Sequence, residues 1–332
     1  MSIANRVPET WELSGDEAWE TLKRTGRFRL ARDAFRRFRA SDGTSHSRSM
    51  AFMLALLLVQ GVIALVAIAS MLHQGRLSDL LGETLRTVAP GPAGKVLTDA
   101  VDHAHRAGAS NSYTVLLIGL VISLLVTACS LMGQVERGLN RLYGIEEDRP
   151  TFRKYGRALV LSLTAGSLAV GAFIAIAVGH VAASSFGRGL GLSVWNDARW
   201  LVGVFLAIAG TALVFRWSPR RHQPQWSWLM FGAFVSVGLW MVATIGLNAF
   251  FRNSASFGQT YGSLAGLIAL LLWSFASSVA IFYGGAVTAQ LEAVRAGDPA
   301  PVDPNDVTDV SDAPREMVSA ESPAGSAEGA AR

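Results

Sequence analysis

No Asp, Glu, Lys or Arg occurs in six stretches of this 332-residue chain: 49–72, 113–135, 158–183, 200–215, 226–251 and 262–290. Together they hold 144 residues, so all 54 charges crowd into the other 188, at the charge density of an ordinary soluble surface. A single soluble globular domain does not segregate its charges in this way. A disulfide scaffold is excluded too, because the one cysteine, Cys129, lies inside an apolar stretch and has no partner in the chain.

A helix needs about 20 mainly apolar residues to cross the hydrocarbon core. Five stretches are longer than that. The sixth, 200–215, has 16 residues and spans if Arg199 and Arg216 carry their heads outward while their stems stay in lipid. None of the six alternates apolar and polar residues, and backbone groups in lipid must be satisfied within the segment, so the reading is all-α. The sequence therefore predicts a polytopic membrane protein with a six-helix membrane domain over 48–292. All eleven prolines fall outside the spans.

Basic residues set the orientation. Counting alternate loops and both termini, 22 Lys/Arg fall on one side and 7 on the other, which places the N and C termini in the cytoplasm. The basic segment 1–47 contains Leu30, Ala31, Ala34, Phe35 and Phe38 at helical spacing among five arginines. This is a basic amphipathic helix whose place next to span one suits it to the inner membrane surface, with a helix for a soluble partner as the alternative. In the outer loop 73–112, one apolar stripe (Leu77 to Val88) and another (Val96 to Val101) predict two short helices. Residues 293–332 read as a disordered acidic tail.

Enzyme signatures are lacking: there is no phosphate-binding glycine loop, no H-E-x-x-H and no C-x-x-C. Asp102, His103 and His105, with His73, come nearest to a metal set, but His103 and His105 lie about 200° apart on a helix and cannot ligate from one face. No metal and no cofactor is expected. Gln60 and Asn248 are the costlier polar groups inside the spans and should face protein. Glu136, Asn140 and Arg141 follow span two, and Arg149, Arg153, Lys154 and Arg157 precede span three. They could form a cationic mouth for a phosphate or lipid headgroup, or simply an orienting, salt-bridged helix end.

Three motifs carry a resemblance. They are Leu139-Asn140-Arg141-Leu142-Tyr143-Gly144; Arg216-Trp217-Ser218-Pro219-Arg220 followed by Trp226 and Phe231-Gly232-Ala233; and Tyr261-Gly262-Ser263-Leu264-Ala265-Gly266 followed by Leu271-Leu272-Trp273 and Gly285-Ala286. In order and spacing they resemble the signatures of the YihY / virulence factor BrkB family, over residues 30–296. The resemblance implies a six-helix bacterial inner-membrane protein of the cell envelope, with Pro219, Trp273 and Gly285 as structural residues of its motifs. Relatives have carried the name ribonuclease BN, and others are linked to serum resistance, envelope integrity, and lipid or lipopolysaccharide export. Two positions depart from the pattern: Gln60 stands where many relatives have proline, and Gly285-Ala286-Val287 stands where many have G-A-E.

Two functions are compatible with these residues. In the first, the protein is a transporter or flippase-like exporter of a lipid or amphiphile. Glu136, Asn140, Arg141 and Arg153 would then contact the headgroup, and Tyr261, Gly262 and Ser263 would line the outer end of the path. In the second, it is a non-transporting scaffold for envelope biogenesis. Membrane lipids are the expected partners, along with envelope proteins or a second copy of the chain. Neither enzymatic activity nor a nucleic-acid partner is expected.

Overall fold

A computed structural model of the chain describes residues 4–10, 15–71, 89, 91–107, 113–147, 149–185, 190–254, 257 and 260–302. Among them are nine α-helices: α1 Gly15–Thr25, α2 Arg27–Ala40, α3 Gly43–Met71, α4 Pro92–Ala107, α5 Tyr113–Leu142, α6 Thr151–Ser185, α7 Leu190–Trp217, α8 Trp226–Asn253 and α9 Ala265–Arg295. A 3-10 turn, Gly262–Leu264, leads into α9, and the one strand-like contact described is an isolated bridge between Ala4 and Val302.

Among the described residues, five helical segments are long and apolar enough to cross a membrane: Gly43–Leu65, Ile118–Leu142, Ala198–Trp217, Trp226–Asn253 and Ala265–Arg295. The predicted span 158–183 falls within α6, which is helical for 35 residues, about 52 Å at 1.5 Å per residue. Its side chains from 176 to 185 lie outside the described residues. The helices overrun the charge-free stretches. α7 begins ten residues before 200, which removes the difficulty of a 16-residue span, and α5 and α9 carry their charged ends past the apolar core.

The long helices close into a ring, each packed on the next in the order α3, α5, α6, α7, α8, α9 and back to α3. α9 also touches α1, α2, α4 and α5, and residues 284–293 are buried without interruption. A helix apolar all round suits that central position. α8 and α9 cross closely. A Cβ on Gly284 would stand 1.8 Å from Ser236 Oγ and 2.6 Å from the Gly232 carbonyl. Only glycine lets the two backbones meet this closely. Gly285 faces α5, where a Cβ would lie 2.7 Å from Leu139 Cδ2, and Trp273 is buried with its indole N–H donated to Thr244 Oγ1 at 3.0 Å.

Two expectations are refined. The apolar face of α2 (Leu30, Ala34, Phe38) is buried, and Leu30 and Ala34 pack in one cluster with Trp228, Val287 and Leu291. The bundle offers that face a dry surface, so it is not the face that meets lipid. α4 forms as the second stripe in the loop predicted, with Leu97 fully buried against Ala93, Leu270 and Trp273, while the first stripe, 77–88, lies outside the described residues. Residues 293–302 belong to the segment expected to be disordered. They complete α9 and then turn back to residues 4 and 5, with the Asn5 N–H on Pro301 O at 3.1 Å and Asn5 Nδ2 on Ala300 O at 3.1 Å. The carbonyls of Pro299, Ala300 and Pro301 find donors, in Gln290 and Asn5, that composition does not reveal. Residues 303–332 lie outside the described residues.

Candidate functional site: an arginine cleft at the charged end of the bundle

At one end of the ring, the turn joining α7 to α8 (218–225) meets the loop joining α5 to α6 (143–150). The last carbonyls of α7 have no partner within their own helix. Arginines from α6 and the loop before it satisfy the last of them and the two carbonyls that follow: Arg157 Nε donates to Trp217 O at 2.8 Å, and Arg149 to Ser218 O at 2.7 Å and Pro219 O at 2.6 Å. Arg216 reaches the Gln223 and Pro224 carbonyls and lies 5.7 Å from the Trp226 ring centre. From α5, the buried Glu136 holds Arg149 Nη1 at 2.9 Å, and the fully buried Asn140 accepts the Arg220 backbone N–H at 2.8 Å.

This clamp leaves a cleft of about 630 Å³ lined by Arg149, Pro150, Arg153, Gly156, Arg157 and Arg220. Four of the six lining residues are arginines and none is a carboxylate. The first turn of α6, with its positive dipole end, adds to the field. Burial, and then the neighbouring Arg149 charge, lower the Arg157 pKa from its ordinary value, with Glu136 opposing. Like charges held together in this way favour an anion, and planar guanidinium forks match phosphate oxygens in pairs. A second cavity of about 410 Å³, lined by Arg6, Gly144, Ile145, Glu146, Glu147 and Arg220, adjoins it and is of mixed charge.

Of the residues predicted from sequence, Arg153 lines the cleft, Glu136 and Asn140 stand behind its wall, and Pro219 supplies a carbonyl to it. Arg141 turns toward the Ile145 carbonyl at 3.2 Å and does not line the cleft. Tyr261 and Gly262 sit at the start of α9, at the opposite end of the bundle, with the Tyr261 ring 4.8 Å from that of Phe257 and Gly262 at φ +51. The Ser263 side chain lies outside the described residues, as do those of Asp102, His103 and His105, and the whole of His73. Gln60 donates to Ser123 Oγ at 3.1 Å, and Asn248 is half-buried on α8.

A second charged cluster escaped the sequence reading. Glu292, fully buried, accepts from Arg221 at 2.5 Å and Thr10 at 2.6 Å, and Arg221 lies 4.5 Å from the Tyr143 ring centre. Arg37, also fully buried, donates to Gln290 at 2.8 Å and to the Asn5 and Leu142 carbonyls. Burial lowers the Arg37 pKa to about 10, opposed by Asp298, Tyr143 and Glu292, and burial also pushes the Tyr143 phenol up. One signal could have exposed Arg37: it follows Leu30 and Ala34 at i+7 and i+3, on the face that those residues bury.

A family model described as virulence factor BrkB matches residues 34–306. A ribonuclease-like protein, YfkH, of Bacillus subtilis (strain 168) is 26% identical over 277 residues, covering 78% of this chain and 94% of that protein. A UPF0761 membrane protein of Stenotrophomonas maltophilia (strain R551-3) is 28% identical over 187 residues, 54% of this chain and 41% of that protein. Another, of Halorhodospira halophila (strain DSM 244 / SL1), is 25% identical over 294 residues, 81% of this chain and 63% of that protein. The chain thus spans less than two thirds of the length of those two membrane proteins. No solved structure matches.

Proposed function

The chain belongs to the virulence factor BrkB family of multi-pass bacterial membrane proteins, and from that premise we propose that it is a flippase-like exporter of an anionic amphiphile whose headgroup enters the arginine cleft. The carrying observation is the lining itself, four arginines without a carboxylate in a space large enough for a headgroup. The proposal includes six spans, with α6 as the sixth, and cytoplasmic termini. The excess of basic residues at this end supports that orientation. The cleft would then sit at the headgroup level of the inner leaflet, where an anionic lipid can reach it sideways.

Each residue has a separate task in this reading. Arg153 and Arg157 engage the anion, while Glu136 and Asn140 position Arg149 and the backbone of Arg220. No catalytic step is included, and the name ribonuclease-like stays with YfkH. A non-transporting scaffold is the second reading. It is favoured by the placement of the two described cavities, neither of which is lined by Gln60, Asn248 or other residues from within the spans.

Purified protein should bind short-chain phosphatidic acid. Reversing two cleft charges, Arg153→Glu with Arg157→Glu, should weaken that binding by at least about tenfold, since charge-assisted hydrogen bonds are each worth roughly 1.5–3 kcal/mol. In proteoliposomes the wild type should move labelled anionic lipid between leaflets and the double variant should not. Binding without movement would select the scaffold, and absence of binding would remove the cleft from both readings.

A further inference from the structure

α2 carries two faces of interest. The inner one is spent on the bundle. Opposite it, Phe28, Arg32, Phe35 and Arg39 recur at i, i+4, i+7 and i+11, within a sector of about 60° on a helix. Phe28 is 92% exposed and Phe35 52% exposed, far beyond what a buried aromatic shows. We propose that this outward stripe is a seat for the anionic headgroup layer of the membrane, distinct from the arginine cleft and independent of whether the protein exports anything.

The depth of α2 supports a lipid occupant. Tyr283, twelve residues before the end of α9, donates its hydroxyl to the Ala31 carbonyl at 3.1 Å, and its ring meets that of Phe38 at 6.5 Å. Twelve helical residues rise about 18 Å. α2 also packs Leu30 and Ala34 on Trp228, at the start of α8, and sends Arg37 to Leu142 O, at the end of α5, so it lies beside the charged ends of the spans, with its outer stripe at the level of the headgroup layer. Charge points the same way. α2 has six arginines, of which only Arg37 is buried. Its one carboxylate, Asp33, is largely covered and lies 3.9 Å from Arg29 and 3.8 Å from Arg36. Aromatic rings that enter the interface, flanked by cations that meet lipid phosphates, form the pattern of an interfacial helix. A soluble acidic protein could use the arginines but would gain little from rings at this depth.

The test uses the full chain with Cys129→Ser and Phe35→Cys, labelled with an environment-sensitive fluorophore and placed in nanodiscs of phosphatidylcholine alone or mixed with phosphatidylglycerol. Spin-labelled lipid is expected to quench the probe while aqueous iodide is not, and quenching by lipid should rise with phosphatidylglycerol. Arg32→Gln and Arg39→Gln should each reduce the phosphatidylglycerol-dependent part by about fivefold. A probe open to iodide in both lipids would overturn the proposal. So would a probe shielded from iodide but untouched by spin-labelled lipid, which would mean that protein covers the stripe. The same measurement with the probe at Phe28→Cys guards against a local fault at position 35. Loss of headgroup binding by the arginine cleft would leave these outcomes unchanged.

Discussion

Arg221→Ala is expected to destabilise the protein by about 3–5 kcal/mol, because it strands a charge that has no route to water. Glu292 is fully buried and its side-chain partners are Arg221 and Thr10. Without the guanidinium, Thr10 alone, through its hydroxyl and its backbone N–H, must support the carboxylate. The same substitution removes the cation over Tyr143 and the bond from Arg221 to the Pro8 carbonyl at 3.0 Å, so the N-terminal arm should loosen as well. Glu292→Ala should cost a similar amount, through an unpaired arginine. Removing both charges together, Arg221→Met with Glu292→Leu, should cost less than either single change, since the desolvation of both ions disappears with them. Thermal unfolding in detergent, followed by the fluorescence of the nine tryptophans, measures this. The single variants should melt on the order of 10 °C lower. A double variant as unstable as the sum of the singles would show that the pair is not the unit.

Gly284→Leu should be at least as damaging, for a steric reason. The first added carbon already falls 1.8 Å from Ser236 Oγ and 2.6 Å from the carbonyl of Gly232, and backbone cannot move aside as a flexible side chain can. Overpacking costs roughly 1–3 kcal/mol where neighbours can relax. Here α8 and α9 must separate along their length, so a loss at or above the upper end of that range is expected. The readout is the yield of monodisperse protein on size exclusion, with Gly238→Ala as the comparison. Gly238 is on the facing helix, α8, and a Cβ there meets nothing within 4 Å. That change should be neutral, or stabilising by roughly 0.5–1 kcal/mol through reduced backbone entropy. Equal behaviour of the two variants would refute a tight crossing at Gly284.

The contrast between these sites shows what could be read from the chain. Hydropathy locates long apolar helices because lipid leaves the backbone no alternative, and α3, α5, α8 and α9 follow from that alone. It also foretold arginines gathered near residues 149–157. It could not foretell that Arg149 spends its donors on the Ser218 and Pro219 carbonyls just past α7, nor that Arg37 reaches Gln290 across 253 residues of sequence. A charge near a helix end looks the same in one dimension whether it faces water or a neighbour. The amphipathic pattern of α2 had the same ambiguity: periodicity shows that a face wants burial, but not whether lipid or protein covers it. Arg141 stands in a motif beside Asn140, yet its side chain turns back on its own loop.

The contact between the chain's two ends has a kinetic meaning. Asn5 and Ala300 are 295 residues apart, so their bond closes nearly the whole chain into a loop. Before the helices assemble, such a closure costs several kcal/mol of chain entropy and returns two or three hydrogen bonds. It can therefore form only after the bundle has brought the ends together, and it will be the first contact surrendered when the bundle loosens. The N-terminal arm is in this sense a seal applied to a finished assembly, and its release, measured by hydrogen exchange at residues 4–7, would report strain in the membrane helices before any of them unfolds.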